Sequence, residues 1–538
     1  MKSRTTNLTL IFFPVLLTLL IMTPRLISPN FGMLDDGTMF VRAKEVLSGN
    51  FSNSFDIGAG RFKPASYIIN AINFFFFRYS PLWYFIGMSL MFLTINFCLV
   101  FILQKARVSP LCIIISLIFF AFNGTIIESF YTLSKHETYQ LMWVVISILF
   151  LVLGYFSKTK QENKIFTILA GIFIFIAFYT KETTFAMVAI IGGFWLYTIK
   201  LKSLIPIEFR KMLLNYLMII IMGGFLYLIT LSLSSTVSIS SGTYSQNYSL
   251  ELKNLLSNVL RWTHLLIHYF PYLFPAMIGF LILLTGNRKP KIGSILIGMV
   301  YAAIWSTFWF GIYLPWSFSE AYYLLPFSFG VSIFTGLYIY GIFSKKVPAN
   351  FMQRALALLS CLLFLLTIPN LITNGKIQIA MDKVNQEMLK YVSKSLDQNG
   401  RVLVNIQESN EYLQGIHYFL ADYYERDDIA TSPYVTGYDA GKESQVFVLV
   451  PLVTNQPILT PRMNIIEDSQ KEWNETLHND LKDVKYEKAV FIEEFRLFNI
   501  NLTNLLCPIL GERNYCNFHE PVFDTRIFSY QWEIIKMK

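Results

Sequence analysis

Eleven apolar stretches, each near the thickness of a bilayer's hydrocarbon core, decide what this chain can fold into. A helix crossing that core needs about 20 predominantly apolar residues. The stretches lie at roughly 8–24, 81–103, 110–127, 137–157, 164–180, 183–199, 212–232, 263–285, 292–312, 320–343 and 353–370. Lipid offers no partners for backbone N–H and C=O groups, so each stretch must satisfy its own as a helix. Composition agrees. Only 15% of the 538 residues are charged, and 54% are apolar, whereas soluble domains carry about 25% charge. The sequence predicts a polytopic α-helical membrane protein of about 11 transmembrane helices, followed by a C-terminal soluble α/β domain.

The connections set the orientation. Lys2 and Arg4 precede the first stretch. Lys105 and Arg107, then Lys158, Lys160 and Lys164, then Lys200, Lys202, Arg210 and Lys211 occupy alternate loops. Arg288, Lys289 and Lys291, and then Lys345, Lys346 and Arg354, continue the pattern. Short loops rich in Lys and Arg stay in the cytoplasm. These loops also account for the net charge of +9. No basic run is interleaved with exposed aromatics, which excludes a nucleic-acid binder. Thr23-Pro24-Arg25 stands where a small-residue cleavage site would be, so the first stretch reads as a retained signal anchor. The N-terminus is expected in the cytoplasm. An odd number of crossings then puts everything after residue 370 outside, with the plasma (inner) membrane of a bacterium as the expected location.

On that topology the unusual charges at membrane borders converge on the outer face. They are "LDDGTMFVRAKEVLSGN" (34–50), "GRFKPASY" (60–67), "SKHETY" (134–139), "YTKET" (179–183) and "SEAYYLLP" (319–326). Met33 to Val46 has the pattern of an amphipathic surface helix. Adjacent helical residues diverge by about 100°, so Asp35 and Asp36 cannot both face one substrate. Arg42, seven residues on, returns to the face of Asp35 and can keep it ionised. A carboxylate at a cleft is a candidate general base for a hydroxyl. Arg61 and Lys63 would sit at headgroup level, where they can hold a phosphate. Lys135, His136 and Glu137 open one apolar stretch, and Lys181 with Glu182 separates two others almost without a loop. Charges held so tightly between apolar runs need partners. Glu320, Tyr322 and Tyr323 are further candidates for substrate contact. His264 and His268 share a helix face, but two packed histidines explain them more simply than a metal site.

In this order and on this one side, the motifs resemble the GT-C superfamily of integral-membrane glycosyltransferases. The resemblance is nearest to the protein O-mannosyltransferase, aminoarabinose transferase and RgtA/B/C/D-like group, and it covers about residues 1–370. "LDD…RAKEVLSGN" is similar to that group's "DE…A+ELL-x-G" run, and "FKP" to its "EKPP". "LSKHET" and "YTKET" resemble its Lys-Glu borders, and "EAYYLLP" its "RYLLP", with Ala321 in place of the arginine. The resemblance implies an inverting transferase that moves a hexose or pentose from a polyprenyl-phosphate donor to a hydroxyl of a glycan, lipid or protein. Asp35 would be the base, with Asp36 beside it. Arg61, Lys63, Lys135 and Lys181 would bind the donor phosphate. Arg42, His136, Glu137, Glu182, Glu320, Tyr322 and Tyr323 would contact substrate. No metal ligand set is expected and no cofactor is required, with a divalent ion left open; Phe62 replaces an acid that some members hold near a metal. A transporter or flippase of a lipid-linked glycan, or an inactive scaffold on the same fold, is the alternative.

The division expected is a transmembrane domain at 1–370, with the acidic motif in a first outer loop at 25–80, and an extracytoplasmic α/β domain at 371–538. Within the latter, 377–396 reads as an amphipathic helix, 401–406 and 444–451 as buried strands, and "NEYLQGIHYFLADYY" as a helix between them. "DTRIFSYQWEIIK" alternates like an edge strand. Cys507 and Cys516 fall in this outer domain and can form a disulfide; Cys98, Cys112 and Cys361 lie in apolar stretches as packing residues. The orientation has a direct check. Single cysteines at Ser52 and Asp397 should label with an impermeant reagent in intact cells, and labelling only after permeabilisation would contradict it.

Overall fold

A computed structural model describes residues 2–33, 36–51, 62–201, 204–234, 248–285, 293–317, 320–347, 349–405, 410–435, 445–454, 477, 486–502 and 522–537. Asp35, Arg61, Cys507 and Cys516 lie outside the described residues.

The helices are α1 (Lys2–Ile27), α2 (Asp36–Leu47), α3 (Pro64–Phe77), α4 (Pro81–Lys105), α5 (Pro110–Ala121), α6 (Thr125–Phe130), α7 (His136–Tyr155) and α8 (Lys160–Phe178). There follow α9 (Ala186–Lys200), α10 (Ile207–Ser234), α11 (Leu252–Tyr269), α12 (Leu273–Thr285), α13 (Ser294–Gly311), α14 (Leu325–Phe343), α15 (Phe351–Ser395) and α16 (Asn410–Tyr418). Short 3₁₀ turns, Glu182–Phe185 and Ala321–Leu324, lead into α9 and α14. Local chemistry fixes several starts. Pro64, Pro81 and Pro110 open α3, α4 and α5, where a missing N–H costs nothing. Thr159 with Glu162, and Asn350 with Gln353, form capping boxes at α8 and α15.

Among the described residues nine helices are long and apolar enough to cross a membrane, or ten if α11 and α12 form one broken span. This corrects the expected eleven in two places. The stretch at 110–127 is a 12-residue helix, α5, that stops at Ala121; the turn before α6 follows. The stretch at 263–285 is bent by 99° between α11 and α12. The last expected span and the amphipathic helix after it are one uninterrupted helix, α15, of 45 residues with Pro369 inside. At 1.5 Å per residue it is about 67 Å long, twice a hydrocarbon core of about 30 Å. It therefore serves both parts of the chain. Its second half carries the C-terminal sheet: Asn385 Oδ1 accepts from Tyr530 Oη and Trp532 Nε1, both at 2.8 Å, and Asn370 Nδ2 donates to the Ile500 carbonyl at 2.8 Å.

The strands are β1 (Arg401–Val404), β2 (Ala430–Pro433), β3 (Val446–Thr454), β4 (Tyr486–Arg496), β5 (Asn499–Ile500), β6 (Phe523–Asp524) and β7 (Ile527–Met537). Five form a mixed sheet in the order β2-β1-β3-β7-β4, with β1 parallel to β2 and β3, and β7 antiparallel to β3 and β4. The expected edge strand, β7, is thus interior. Its alternation comes from Gln531 and Glu533, and Glu533 Oε1 pairs with Lys488 of β4 at 2.6 Å. Alternation reports the polarity of a face and is silent on whether the edges are paired.

One contact ties the two parts together. Arg25 at the end of α1 forms a buried ion pair with Asp382 of α15, with side-chain exposures of 0% and 3%. Its guanidinium also donates to the Asn30 carbonyl at 2.7 Å and lies 4.1 Å from the Phe85 ring centroid. Gln378 Nε2 donates to both Asp382 oxygens at 3.1 Å. Removing one member of a buried pair strands the other, at a cost of about 3–5 kcal/mol. Arg25→Met should therefore lower the melting temperature in detergent substantially, and Arg25→Met with Asp382→Leu should recover much of the loss. Unchanged melting of the single variant would contradict the pair's role.

Candidate functional site

The acidic loop is built around the first turn of α2. Asp36, not Met33, is its first helical residue, where a carboxylate meets the positive end of the helix dipole. The side chain is fully buried, and Oδ2 accepts from the Gly32 backbone N–H at 2.7 Å. A buried carboxylate is expensive unless it is hydrogen-bonded or paired, and this bond ties Asp36 to Gly32. α2 does not lie bare on a membrane surface. Its inner face, with Met39, Phe40 and Ala43 buried, packs on α3 and under α16. Arg42 pairs with Glu45 at 3.0 Å, both partly exposed.

The other charged helix borders gather beside this loop. Asp36 is within electrostatic reach of Tyr84 of α4 and Tyr139 of α7. The Tyr139 hydroxyl donates to Asn70 Oδ1 of α3 at 3.3 Å. Lys63, 3% exposed, occupies the N-cap position of α3 without a side-chain capping bond. That start is held on the turn after α8: Ala65 N–H donates to the Tyr179 carbonyl at 3.0 Å, and Ser66 Oγ to the Thr180 carbonyl at 3.2 Å. The next residue is Lys181. The segments bearing Lys63 and Lys181 are therefore one hydrogen-bonded unit.

Lys181 and Glu137 form an ion pair in which both side chains are buried, at 5% and 1% exposure. The pairing runs between the two Lys-Glu borders rather than within either. Gln140 Nε2 reinforces it, donating to Thr184 Oγ1 at 2.8 Å and Thr183 Oγ1 at 3.0 Å. Aromatic rings complete the cover. Lys135 Nζ lies 3.8 Å from the Tyr322 ring centroid, and Lys181 Nζ lies 4.5 Å from that of Tyr323 and 5.7 Å from that of Tyr313. Faces of aromatic rings attract cations, by about 2 kcal/mol or more once both are desolvated. His136 meets Tyr67 of α3 edge-on at 5.6 Å. Glu182 and Glu320, both half-buried, begin the two 3₁₀ turns.

The structure thus brings together Asp36, Lys63, Lys135, His136, Glu137, Lys181, Tyr322 and Tyr323, from segments spread over nearly 300 residues of chain. Asn70, Tyr139, Gln140 and Tyr313 were missed by sequence reasoning. Each is a neutral polar residue inside or beside an apolar helix, and Asn70 and Gln140 stand out there because a buried amide needs partners. Among the described residues no cluster of three or more His, Cys, Asp or Glu side chains could hold a metal ion. His264 and His268 are buried in α11 without a third such ligand. Chemically the arrangement offers a carboxylate at a loop and buried ammonium groups at helix ends, which suits an anionic group presented at a membrane border.

No protein-family model matches the sequence, and no curated protein sequence matches it. Among solved structures the chain is similar to ArnT from Cupriavidus metallidurans bound to undecaprenyl phosphate, at 12% identity and a TM-score of 0.46, covering 96% of this chain and 97% of that one. The same protein in its apo state gives 10% identity and 0.47 over 99% and 98% of the two chains. The Archaeoglobus fulgidus oligosaccharyltransferase tethered to an acceptor peptide with an NVT sequon gives 12% and 0.45; the match covers 79% of this chain but spans only 63% of that enzyme. At scores below 0.5 the functional reading rests on the chain's own residues.

Proposed function

We propose that the chain is an inverting glycosyltransferase that moves a sugar from a polyprenyl-phosphate donor to an acceptor hydroxyl on the extracytoplasmic face of the membrane. One observation carries this reading: a buried carboxylate at the start of α2 lies in the same cluster of membrane-helix ends as the buried Lys63, Lys135 and Lys181. Ionisable groups buried at a membrane border mark functional sites, and a lipid-borne phosphate entering there would meet charge of the opposite sign. The donor is amphipathic, so its phosphate is presented at this level while its tail stays in the bilayer.

The acceptor oxygen attacks the anomeric carbon from the side opposite the phosphate. The new C–O bond forms as the bond from carbon to phosphate oxygen breaks. The acceptor proton passes to a carboxylate, and the lipid phosphate leaves as the anion, held by Lys63, Lys135 and Arg61. We assign the base to Asp35, which precedes the helix, and the holding of the loop to Asp36, whose carboxylate is engaged by Gly32. Glu137 acts through Lys181 by fixing its ammonium. Glu182, Glu320, Tyr322 and Tyr323 are assigned to the walls that orient the sugar. Charge neutralisation by lysine and arginine needs no divalent ion.

The test is initial rate against donor concentration. General base catalysis contributes about 10²–10⁴-fold, so Asp35→Asn should lose about that factor in turnover with nearly unchanged donor binding. Asp36→Asn should lose less. Lys63→Ala should both raise KM and lower kcat, because it removes a phosphate contact. Addition of EDTA should leave all rates unchanged. Near wild-type turnover of both acid variants would overturn the reading.

A further inference from the structure

The C-terminal domain reaches back onto the acidic loop at one point of backbone contact. α16 packs on α2, and at Gly415 the bare Cα faces the Met33 main chain. A Cβ built there would stand 2.0 Å from the Met33 carbonyl oxygen and 3.0 Å from its carbonyl carbon. These are backbone atoms of a buried residue and cannot swing aside as a flexible side chain would. Any larger residue must push this segment away by about 1 Å to reach a tolerable contact of 3.0 Å. Met33 adjoins Gly32, whose N–H holds Asp36 Oδ2 at 2.7 Å, and Asp35 lies only two residues further on. A second close approach supports the first: a Cβ on Gly37 would meet Tyr418 Cβ at 3.2 Å.

The rest of α16 and the turn after it make this contact firm. Lys44 of α2 pairs with Asp422 at 2.6 Å. Phe31 is ringed by Phe40, Tyr84, Phe419 and Tyr423 at centroid separations of 4.8 to 6.3 Å. Behind them Arg426 donates to the Leu396 carbonyl at 3.0 Å and the Asp397 carbonyl at 2.9 Å, and to Asp428, whose carboxyl it holds down to about 2. The Tyr424 hydroxyl donates to the Gln386 carbonyl of α15 at 3.2 Å. α16 is therefore fastened to the end of the long helix on one side and to the acidic loop on the other.

We propose that Gly415 is a positioning residue for the acidic motif: the C-terminal domain, through α16, sets where Met33 and Asp36 stand relative to the lysines. This rests on the catalytic reading of Asp35 and Asp36 given above. It gives the soluble domain a role in turnover that does not require it to touch donor or acceptor. A 1 Å misplacement of reacting groups can cost about 10²-fold in rate, whereas the lysine contacts to the lipid phosphate come from α3 and the borders of α7 and α9, which this movement leaves alone.

The experiment uses the full-length protein, with Gly415→Ala, Gly37→Ala, Asp35→Asn and Asp36→Asn compared with wild type. For each, undecaprenyl phosphate binding gives the fraction of competent molecules, and turnover of a polyprenyl-phosphate-linked sugar gives kcat and KM. Gly415→Ala should bind the lipid at wild-type stoichiometry, keep KM within twofold and lose about tenfold to a hundredfold in kcat. Gly37→Ala, which favours the α2 helix while crowding Tyr418, should lose about threefold. Amide exchange at residues 31–37 should quicken in Gly415→Ala and not elsewhere in the membrane helices. Wild-type kcat in Gly415→Ala, or a loss that only tracks fewer competent molecules, would overturn the proposal. Should Gly415→Ala fail to fold, wild-type kcat in Gly37→Ala overturns it alone. Full rate in both acid variants would instead overturn the catalytic reading beneath it.

Discussion

The buried ion pair between Arg25 and Asp382 is the contact on which the site geometry depends. It joins residues 357 apart in sequence, in the last turn of α1 and in the second half of α15. Asn30 takes a hydrogen bond from the same guanidinium, and the chain then passes through Phe31 and Gly32 to Asp36. Asp382 stands on the helix that also carries the C-terminal sheet through Asn370 and Asn385. The pair therefore sets the height of the loop and that of the soluble domain from one origin. Two charges without water are costly, and the pair repays that only with added partners. Asn30, Gln378 and the Phe85 face supply them.

A similar economy of charge governs the lysine-rich side of the site. Lys181 finds Glu137, and Lys135 finds the Tyr322 ring. Gln140 binds the threonines of the 182–185 turn, so the pair sits on a rigid support rather than on a free loop. Rigid, dry surroundings strengthen electrostatic attraction for an entering phosphate. They also explain why the acid and the lysines come from different segments. Each helix border can hold one or two charges, and only the assembly of several borders makes a site.

Much of this was legible in the sequence, and the rest was hidden for identifiable reasons. Apolar runs of about 20 residues specify helices almost by themselves, since lipid leaves the backbone no alternative. The strands at 401–404 and 446–454, and the helix at 410–418, were legible as a short apolar run, a long one and a 3.6-residue pattern. α15 looked like two helices because its polarity changes after Pro369, yet a proline in a helix can be carried when the flanking turns are packed. β7 looked like an edge because Gln531 and Glu533 are polar, while Gln531 donates to Glu533 within the strand and Glu533 pairs with Lys488 of β4, a strand not recognised in the sequence. Site residues near charge clusters were visible; their partnerships were not. The mate of Lys181 is 44 residues away, and nothing local marks Gly415 as the residue that admits the Met33 carbonyl.

The central claim is that these elements form one site that breaks the bond between a sugar and a lipid phosphate. The most direct measurement is to incubate the purified protein, in detergent and in sealed vesicles, with radiolabelled polyprenyl-phosphate sugars and candidate acceptors. The account predicts loss of label from the lipid, its appearance on an acceptor hydroxyl or in water, inverted configuration at the anomeric carbon, and release of polyprenyl phosphate. Movement of the intact lipid-linked sugar between leaflets, with no cleavage of any donor, would contradict it.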